Sequence, residues 1–307
     1  IKAFKIGFVN KSSSLKIGRN NISINEMRKE WMKTSTQFEL KQTNSELALL
    51  RLDNVIKQPL KYRFPSKFSG KRPLKKIKRL NAAVIREKGS NSEREMAYMM
   101  DLCGFKVRDV HMTDLIEGRE TLEDIQLLVA VGGFSNSDVL GSAKGWAGAF
   151  RYNAKAKAAL ENFFSRTDTL SLGVCNGCQL FIELGLLYTN HIQKPKMMHN
   201  KSGKFECIFT AVNIKPSSSI MLKGREGSIL GIWAAHGEGR FSFPKAEINY
   251  QIPAKYLYEG YPSNPNGSDF NAAMLVSDNG RHLVMMPHLE RSTFPWNWGH
   301  YPNNRKD

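Results

Sequence analysis

Cysteine is scarce in this sequence: Cys103, Cys175, Cys178 and Cys207 are the four in 307 residues. So thin a supply excludes a disulfide-stapled scaffold and leads to the expectation of a reduced, cytoplasmic protein. Long apolar runs are missing as well. The longest largely apolar stretch, Ile125 to Val131, falls far short of the roughly 18 to 20 residues of a spanning helix. No basic, apolar, small-residue order marks a secretory leader, and no membrane is expected as a partner. Ile1 stands where an initiator Met would, from which the chain is expected to be a piece of a longer one. Acidic residues are few: 28 Asp and Glu stand against 45 Lys and Arg, for a net charge of +17. An excess of that size ordinarily points to nucleic acid or an anionic surface. It is unevenly spread, because the first 80 residues hold 20 of the basic and 5 of the acidic side chains, +15, which leaves +2 for the rest.

With 41% hydrophobic residues the chain has the means to bury a core, and the pattern divides it into three parts. Residues 1–57 are polar, with a short strand-like piece at Phe4 to Val9 and helical pieces around a turn between Asn25 and Leu52. That is too little for a core. Residues 58–80 carry three prolines and the run Lys71 to Arg79, and read as a basic linker. A nucleic-acid module on Arg63 to Arg79 is the alternative there, but Phe64 and Phe68 make no repeated stacking pattern, and nucleic acid is not expected as a partner. Residues 81–307 change character. A strand at Ala82 to Ile85 is followed by a helix from Ser92, with Glu95 completing a capping box. Strands at Phe105 to Val110, Leu122 to Val131 and Thr169 to Val174 follow, with one long helix between about Gly145 and Phe164. Alternation of this kind predicts an α/β fold with a mainly parallel central sheet, whose ligands sit at the carboxyl ends of the strands. Short strands near 205–212 and 231–235, and one from His282 to Met286, complete the pattern.

Gly173-Val-Cys175-Asn-Gly177-Cys-Gln179 follows an apolar strand and precedes a helix. Glycines two residues either side of a nucleophile permit a strained strand-to-helix turn that presents the thiol above the sheet. A helix start also favours thiolate, and the N–H of Asn176 could hold an oxyanion. Half a zinc site on Cys175 and Cys178 lacks further ligands, and a redox dithiol does not need the glycine spacing; Cys178 is expected to face the core. A thiol nucleophile requires a base, and the base an orienting group. His288 and Glu290, two apart in extended chain, fall on the same face and supply that pair. His236 lies in the glycine-flanked loop Ala235-His-Gly-Glu-Gly-Arg240, which suits either a substrate approach or a structural turn.

Together with Gly132-Gly-Phe-Ser135 and Pro287-His288-Leu-Glu290, the cysteine turn resembles the flavodoxin-like class I glutamine amidotransferases. Ala82 to Ser92, Asp109 to Leu115, Gly132 to Gly141, Gly145-Trp-Ala147, His236 to Arg240 and Asn264 to Ser268 resemble, more narrowly, the C-terminal glutaminase domains of the large single-chain phosphoribosylformylglycinamidine synthases. Glu30 to Ser35 and Gln42 to Asn44 resemble the end of the synthetase region that precedes such domains. The resemblance implies glutamine hydrolysis through a thioester on Cys175, with His288 as base and acid and Glu290 as orienting carboxylate. It implies an oxyanion hole from Gly133 and Asn176, and glutamine contacts by Gly132, Gln179 and His236. It implies no metal or cofactor in this domain, with ATP and Mg2+ belonging to the synthetase region, the partner to which ammonia would pass. Leu289 departs from the proline usual between the two catalytic residues, and a looser loop is expected from it.

Overall fold

The structure is a computed structural model that describes residues 2–58, 60–70 and 79–305. It divides into two compact units, Ile1–Pro59 and Leu60–Asp307. The first holds an antiparallel pair, β1 (Ser14–Ile17) and β2 (Asn20–Ser23), followed by α1 (Ile24–Gln42) and α2 (Ser45–Asn54). Asn44 starts α2 by accepting from the N–H of Glu46 at 3.0 Å and Leu47 at 3.3 Å. Burial in the two helices is confined to Thr36, Ala48 and Asn54, so this unit builds no apolar core, as its composition predicts. The strand expected at Phe4 to Val9 does not form; those residues stand exposed without a partner strand, and an unpaired strand leaves its backbone groups to water.

The second unit is α/β. Its strands and helices run β3 (Asn81–Arg86), α3 (Glu93–Leu102), β4 (Lys106–His111), α4 (Met112–Glu117), β5 (Leu127–Ala130), α5 (Lys144–Tyr152), α6 (Ala154–Ser165), β6 (Leu170–Val174) and α7 (Asn176–Leu184). There follow β7 (Lys196–Met198), β8 (Glu206–Ile214), β9 (Ile229–His236), β10 (Arg240–Ser242), β11 (Gln251–Tyr256), β12 (Ala272–Val276) and β13 (His282–Met285). Nine strands form one sheet in the order β4-β3-β5-β6-β13-β12-β11-β8-β9. From β4 to β13 the pairings are parallel, and from β13 to β9 antiparallel. The parallel half behaves as its sequence predicts: β5 is buried at every position, the mark of a strand covered on both faces. The expected strand from Leu122 shortens to its last part because Leu122 takes a positive φ of 61° and starts a turn.

Two further expectations give way. The single helix from Gly145 to Phe164 is two, because Asn153 is extended and caps α6, its Oδ1 accepting from Ala156 N–H at 2.9 Å. The linker assigned to 58–80 does not behave as one over its first half. Arg63 pairs with Ile229 at the edge of β9 through two backbone hydrogen bonds of 2.9 and 2.8 Å. Tyr62 and Phe64 pack on Trp298, with ring centroids 5.1 and 5.6 Å apart, and Arg305 lies 4.1 Å over the Phe64 ring. The second unit therefore begins at Leu60, twenty residues before the boundary its charge pattern suggested, since aromatic packing outweighs the repulsion of nearby cations. The basic run itself, Lys71 to Lys78, lies outside the described residues. Among those described, no helix is long and apolar enough to cross a membrane.

Candidate active site

Four loops leave the carboxyl ends of β3, β5, β6 and β13 and converge. Cys175 follows β6 directly and takes φ 51° and ψ −105°, conformations an L-residue rarely adopts. Its glycine neighbours make the turn possible by close approach: a Cβ at Gly177 would stand 2.0 Å from the Ala130 carbonyl oxygen, and one at Gly173 2.6 Å from that of Gly177. With those side chains missing, α7 seats against β5 and β6 and carries Cys175 at its head. The thiol is buried, its Sγ 3.7 Å from the Ala235 carbonyl oxygen. Cys178, three residues into the same helix, is fully buried, and burial pushes its thiol well above the ordinary range. It faces the core, as expected, and both cysteines are free thiols. Among the described residues no three His, Cys, Asp or Glu side chains gather where a metal ion could be held, so the pair has no third ligand.

His288 and Glu290 leave β13 on the same face. Nδ1 of His288 lies 2.6 Å from Glu290 Oε1, and both side chains are essentially shut off from water. Burial by itself would discharge the imidazole. The Cys175 side chain and the Glu290 carboxylate outweigh it, by charge and by hydrogen bonding, and raise His288 from 6.5 to about 10. Burial pulls Glu290 upward too, but its bond to His288 wins and holds the carboxyl below its usual range. The proton therefore belongs to the imidazole. Two backbone links hold this loop: His288 N–H donates to the Trp233 carbonyl at 2.7 Å, and the Ser292 hydroxyl to the His288 carbonyl at 3.2 Å. Leu289, which stands between His288 and Glu290, is half-buried and packs its side chain against the core.

The remaining expected residues meet at the same place. Gly132 passes beside the Cys175 and His288 side chains: a Cβ there would lie 2.8 Å from His288 Cε1 and 3.4 Å from Cys175 Cβ. Gly133 forms an isolated antiparallel bridge with Ser90, flanked by bonds from Asn91 N–H to the Gly132 carbonyl and from Phe134 N–H to the Gly89 carbonyl, both 2.9 Å. In that pattern Gly133 is the non-hydrogen-bonded partner, so its own N–H points away from the Ser90 strand. Asn176 is the first residue of α7, where N–H groups have no acceptor within the helix. Its side chain is fully used: Oδ1 accepts from Ser135 N–H at 3.2 Å and Nδ2 donates to Gln179 Oε1 at 3.0 Å. Gln179 in turn donates to the Glu238 carbonyl at 2.8 Å. One chain of hydrogen bonds thus ties the Gly132-Gly133 loop, the head of α7 and the His236 loop together.

Part of this set borders a cavity of about 130 Å³, whose lining does not include Gly132 or Asn176. Cys175, Gly133, Gln179, His236 and His288 line it. His236 is buried at the end of β9, where burial and then the charge on His288 lower it to about 4, so its ring is neutral at pH 7. Its Nε2 lies 3.4 Å from Asn266 Nδ2, an acceptor's position, while Nδ1 is buried without a partner. The sequence reading missed two further wall residues, Asp138 and Glu238. Burial and then the charge of Glu238 raise the Asp138 carboxyl, whose Oδ1 is buried and unpartnered. Asp138 lies in Asn136-Ser-Asp138, three consecutive residues at positive φ, a conformation that the sequence does not signal. Ser92, expected to cap α3, stands at the N-cap with φ 68° and caps nothing. The sequence shows the cap residue types but not the left-handed turn that points the hydroxyl elsewhere.

A family model described as CobB/CobQ-like glutamine amidotransferase domain matches residues 79–307. The phosphoribosylformylglycinamidine synthase of Dictyostelium discoideum is 41% identical over 314 residues, covering 93% of this chain and 23% of that protein. That of Homo sapiens is 43% identical over 246 residues, covering 72% of this chain and 18% of that protein. The chain thus spans less than a quarter of the length of these curated relatives. A solved structure of PurLQS from Thermotoga maritima superposes with a TM-score of 0.58 at 26% identity, covering 72% of this chain and 92% of that one.

Proposed function

We propose, for a chain that belongs to the family of CobB/CobQ-like glutamine amidotransferase domains, that it hydrolyses glutamine to glutamate and ammonia at Cys175. We further propose that the ammonia serves conversion of formylglycinamide ribonucleotide to formylglycinamidine ribonucleotide in purine biosynthesis, the reaction after which its relatives are named. The observation that carries the first step is the buried row Cys175, His288, Glu290, with the last two 2.6 Å apart.

The Cys175 thiolate attacks the side-chain carboxamide carbon of glutamine. The oxygen gains the negative charge and is met by the N–H groups of Gly133 and Asn176, the latter strengthened by the α7 dipole. His288 gives its Nε2 proton to the departing nitrogen, the C–N bond breaks, and ammonia and a glutamyl thioester remain. His288, now neutral, takes a proton from water as its oxygen attacks the thioester, and glutamate and the thiolate return. Glu290 stays ionised, keeps the Nδ1 proton in place and stabilises the imidazolium. Gln179 and the neutral His236 hold the substrate's polar groups, and Asp138 with Glu238 offers its α-ammonium a negative wall. ATP and Mg2+ are assigned to the synthetase region of a longer protein, to which residues 1–57 would belong and which would receive the ammonia.

The test is glutamate release from glutamine, with Cys175→Ala losing at least a thousandfold in rate. Mapping the site alkylated by a diazoketone glutamine analogue checks the nucleophile independently: label on Cys175 is expected, and label on Cys178 would refute the assignment.

A further inference from the structure

Ser92 and Glu290 present two buried oxygens that lack a partner within hydrogen-bond geometry, Ser92 Oγ and Glu290 Oε2. An ionised carboxylate accepts at both oxygens, and a buried acceptor left bare costs more than the bond it forgoes. Glu290 Oε1 is occupied by His288, so Oε2 needs a donor that is neutral, because a cation there would cancel the charge His288 depends on. Ser92 is such a donor. It is 3% exposed, and a Cβ placed on Gly132 would be 3.5 Å from its Oγ and 2.8 Å from His288 Cε1, which sets the hydroxyl in the layer that holds the imidazole. Its backbone is strained to φ 68°, a conformation that forfeits the capping bond a serine at this position ordinarily makes. The same hydroxyl helps to hold the Glu290 carboxyl low.

We propose that Ser92 is a positioning residue of this site, its hydroxyl donating to Glu290 Oε2 so that Oε1 is held in line with His288 Nδ1. The proposal rests on the reading of Cys175, His288 and Glu290 as a catalytic row. It accounts for the strained turn: left-handed backbone turns the hydroxyl from the helix it precedes to the carboxylate behind His288. The other titratable groups facing the pair are Cys175 at the end of β6 and His236 at the end of β9. Arg291, next along the loop, is held on Asn91 Oδ1 at 2.8 Å.

Ser92→Ala and Ser92→Gly, made in the whole chain, separate positioning from turn-making. Both delete the hydroxyl, but glycine accepts positive φ and alanine does not. A purely structural serine would make the glycine variant as stable and as reactive as the native chain. We expect the glycine variant to keep its melting temperature yet alkylate Cys175 with iodoacetamide about tenfold more slowly. In both variants the proton resonance shared by His288 Nδ1 and Glu290 is expected to vanish on acidification at a higher pH than in the native chain, since loss of the hydroxyl raises the carboxyl. A Ser92→Gly chain with native alkylation rate and an unmoved resonance overturns the proposal. If the variants show the slower alkylation and the shifted resonance but the native chain hydrolyses no glutamine, Ser92 keeps its role and the glutaminase reading alone is overturned.

Discussion

A Cβ at Gly132 would stand 2.8 Å from His288 Cε1, a separation no real pair of carbon atoms tolerates, and 3.4 Å from Cys175 Cβ. The φ at Gly132 is not in the left-handed region, so a side chain is barred by space alone and the strain falls on the imidazole. Gly132→Ala is therefore expected to leave melting nearly unchanged while lowering kcat for glutamine hydrolysis about a hundredfold, the usual cost of moving a reacting group by about an ångström. KM should change less, because the cavity wall formed by Gln179 and His236 is untouched. A loss confined to KM would mean that the glycine serves substrate entry and not the placement of His288. The row Cys175, His288 and Glu290 was legible in the sequence because each member has a short-range signature: two glycines around Cys175, and an interval of two between His288 and Glu290. Ser92, Asp138 and Glu238 were not, because their places come from contacts between loops that lie far apart in sequence and, at Ser92 and Asp138, from positive φ values that no sequence pattern marks.

Among the elements, β9 joins the two ends of the second unit. Its first residue pairs with Arg63, its carbonyls at Trp233 and Ala235 face His288 and Cys175, and its last residue is His236. On the same strand Trp233 N–H donates to Ser292 Oγ at 3.3 Å, while Trp298 Nε1 donates to the Ser292 carbonyl at 2.8 Å. Residues 60–68 therefore clasp the aromatic surface that braces the His288 loop. Parallel strands and their loops were readable from alternation of apolar runs and turn signals. This clasp was not, because Tyr62, Phe64 and Phe68 lie in a stretch whose charge and prolines read as a linker, and their partners Trp298 and Tyr301 lie more than 200 residues away. A chain beginning at Leu80 is expected to unfold in urea with about 2 to 4 kcal/mol less stability than one beginning at Leu60, the cost of stripping two or three partly buried rings. Burial raises the Tyr62 hydroxyl to about 12, so its ultraviolet titration should move toward the ordinary value of 10 as the clasp is loosened. Equal urea midpoints for the two chains would return residues 60–70 to the status of linker.

Across the whole molecule, three buried histidines set opposing demands on pH. His236 and His282 are both lowered from 6.5 to about 4, burial being the first cause in each; the charge of His288 adds to it at His236, and that of Arg281 at His282. His282 sits deep in the fold, 2.9 Å from Ser171 Oγ and stacked on Phe164 with centroids 4.4 Å apart. As pH falls from 6.5 towards 4, the unfolded chain binds protons at both rings that the folded chain refuses, so stability declines, by on the order of 3 kcal/mol per ring at the acid limit. His288 has the opposite sign. Its folded value of about 10 lies above 6.5, so its contribution is fully present below 6.5 and is lost as pH rises to 10. Glu290, held low, adds to the acid arm. Urea midpoints are thus expected to peak near pH 6.5 and fall on both sides. Cys175→Ala removes the partner that contributes most to raising His288, and should flatten the alkaline arm while leaving the acid arm as it was. If instead both arms persist unchanged in that variant, the Cys175 side chain does not hold the His288 proton, and the charge pair at the centre of the proposed chemistry is absent from the resting site.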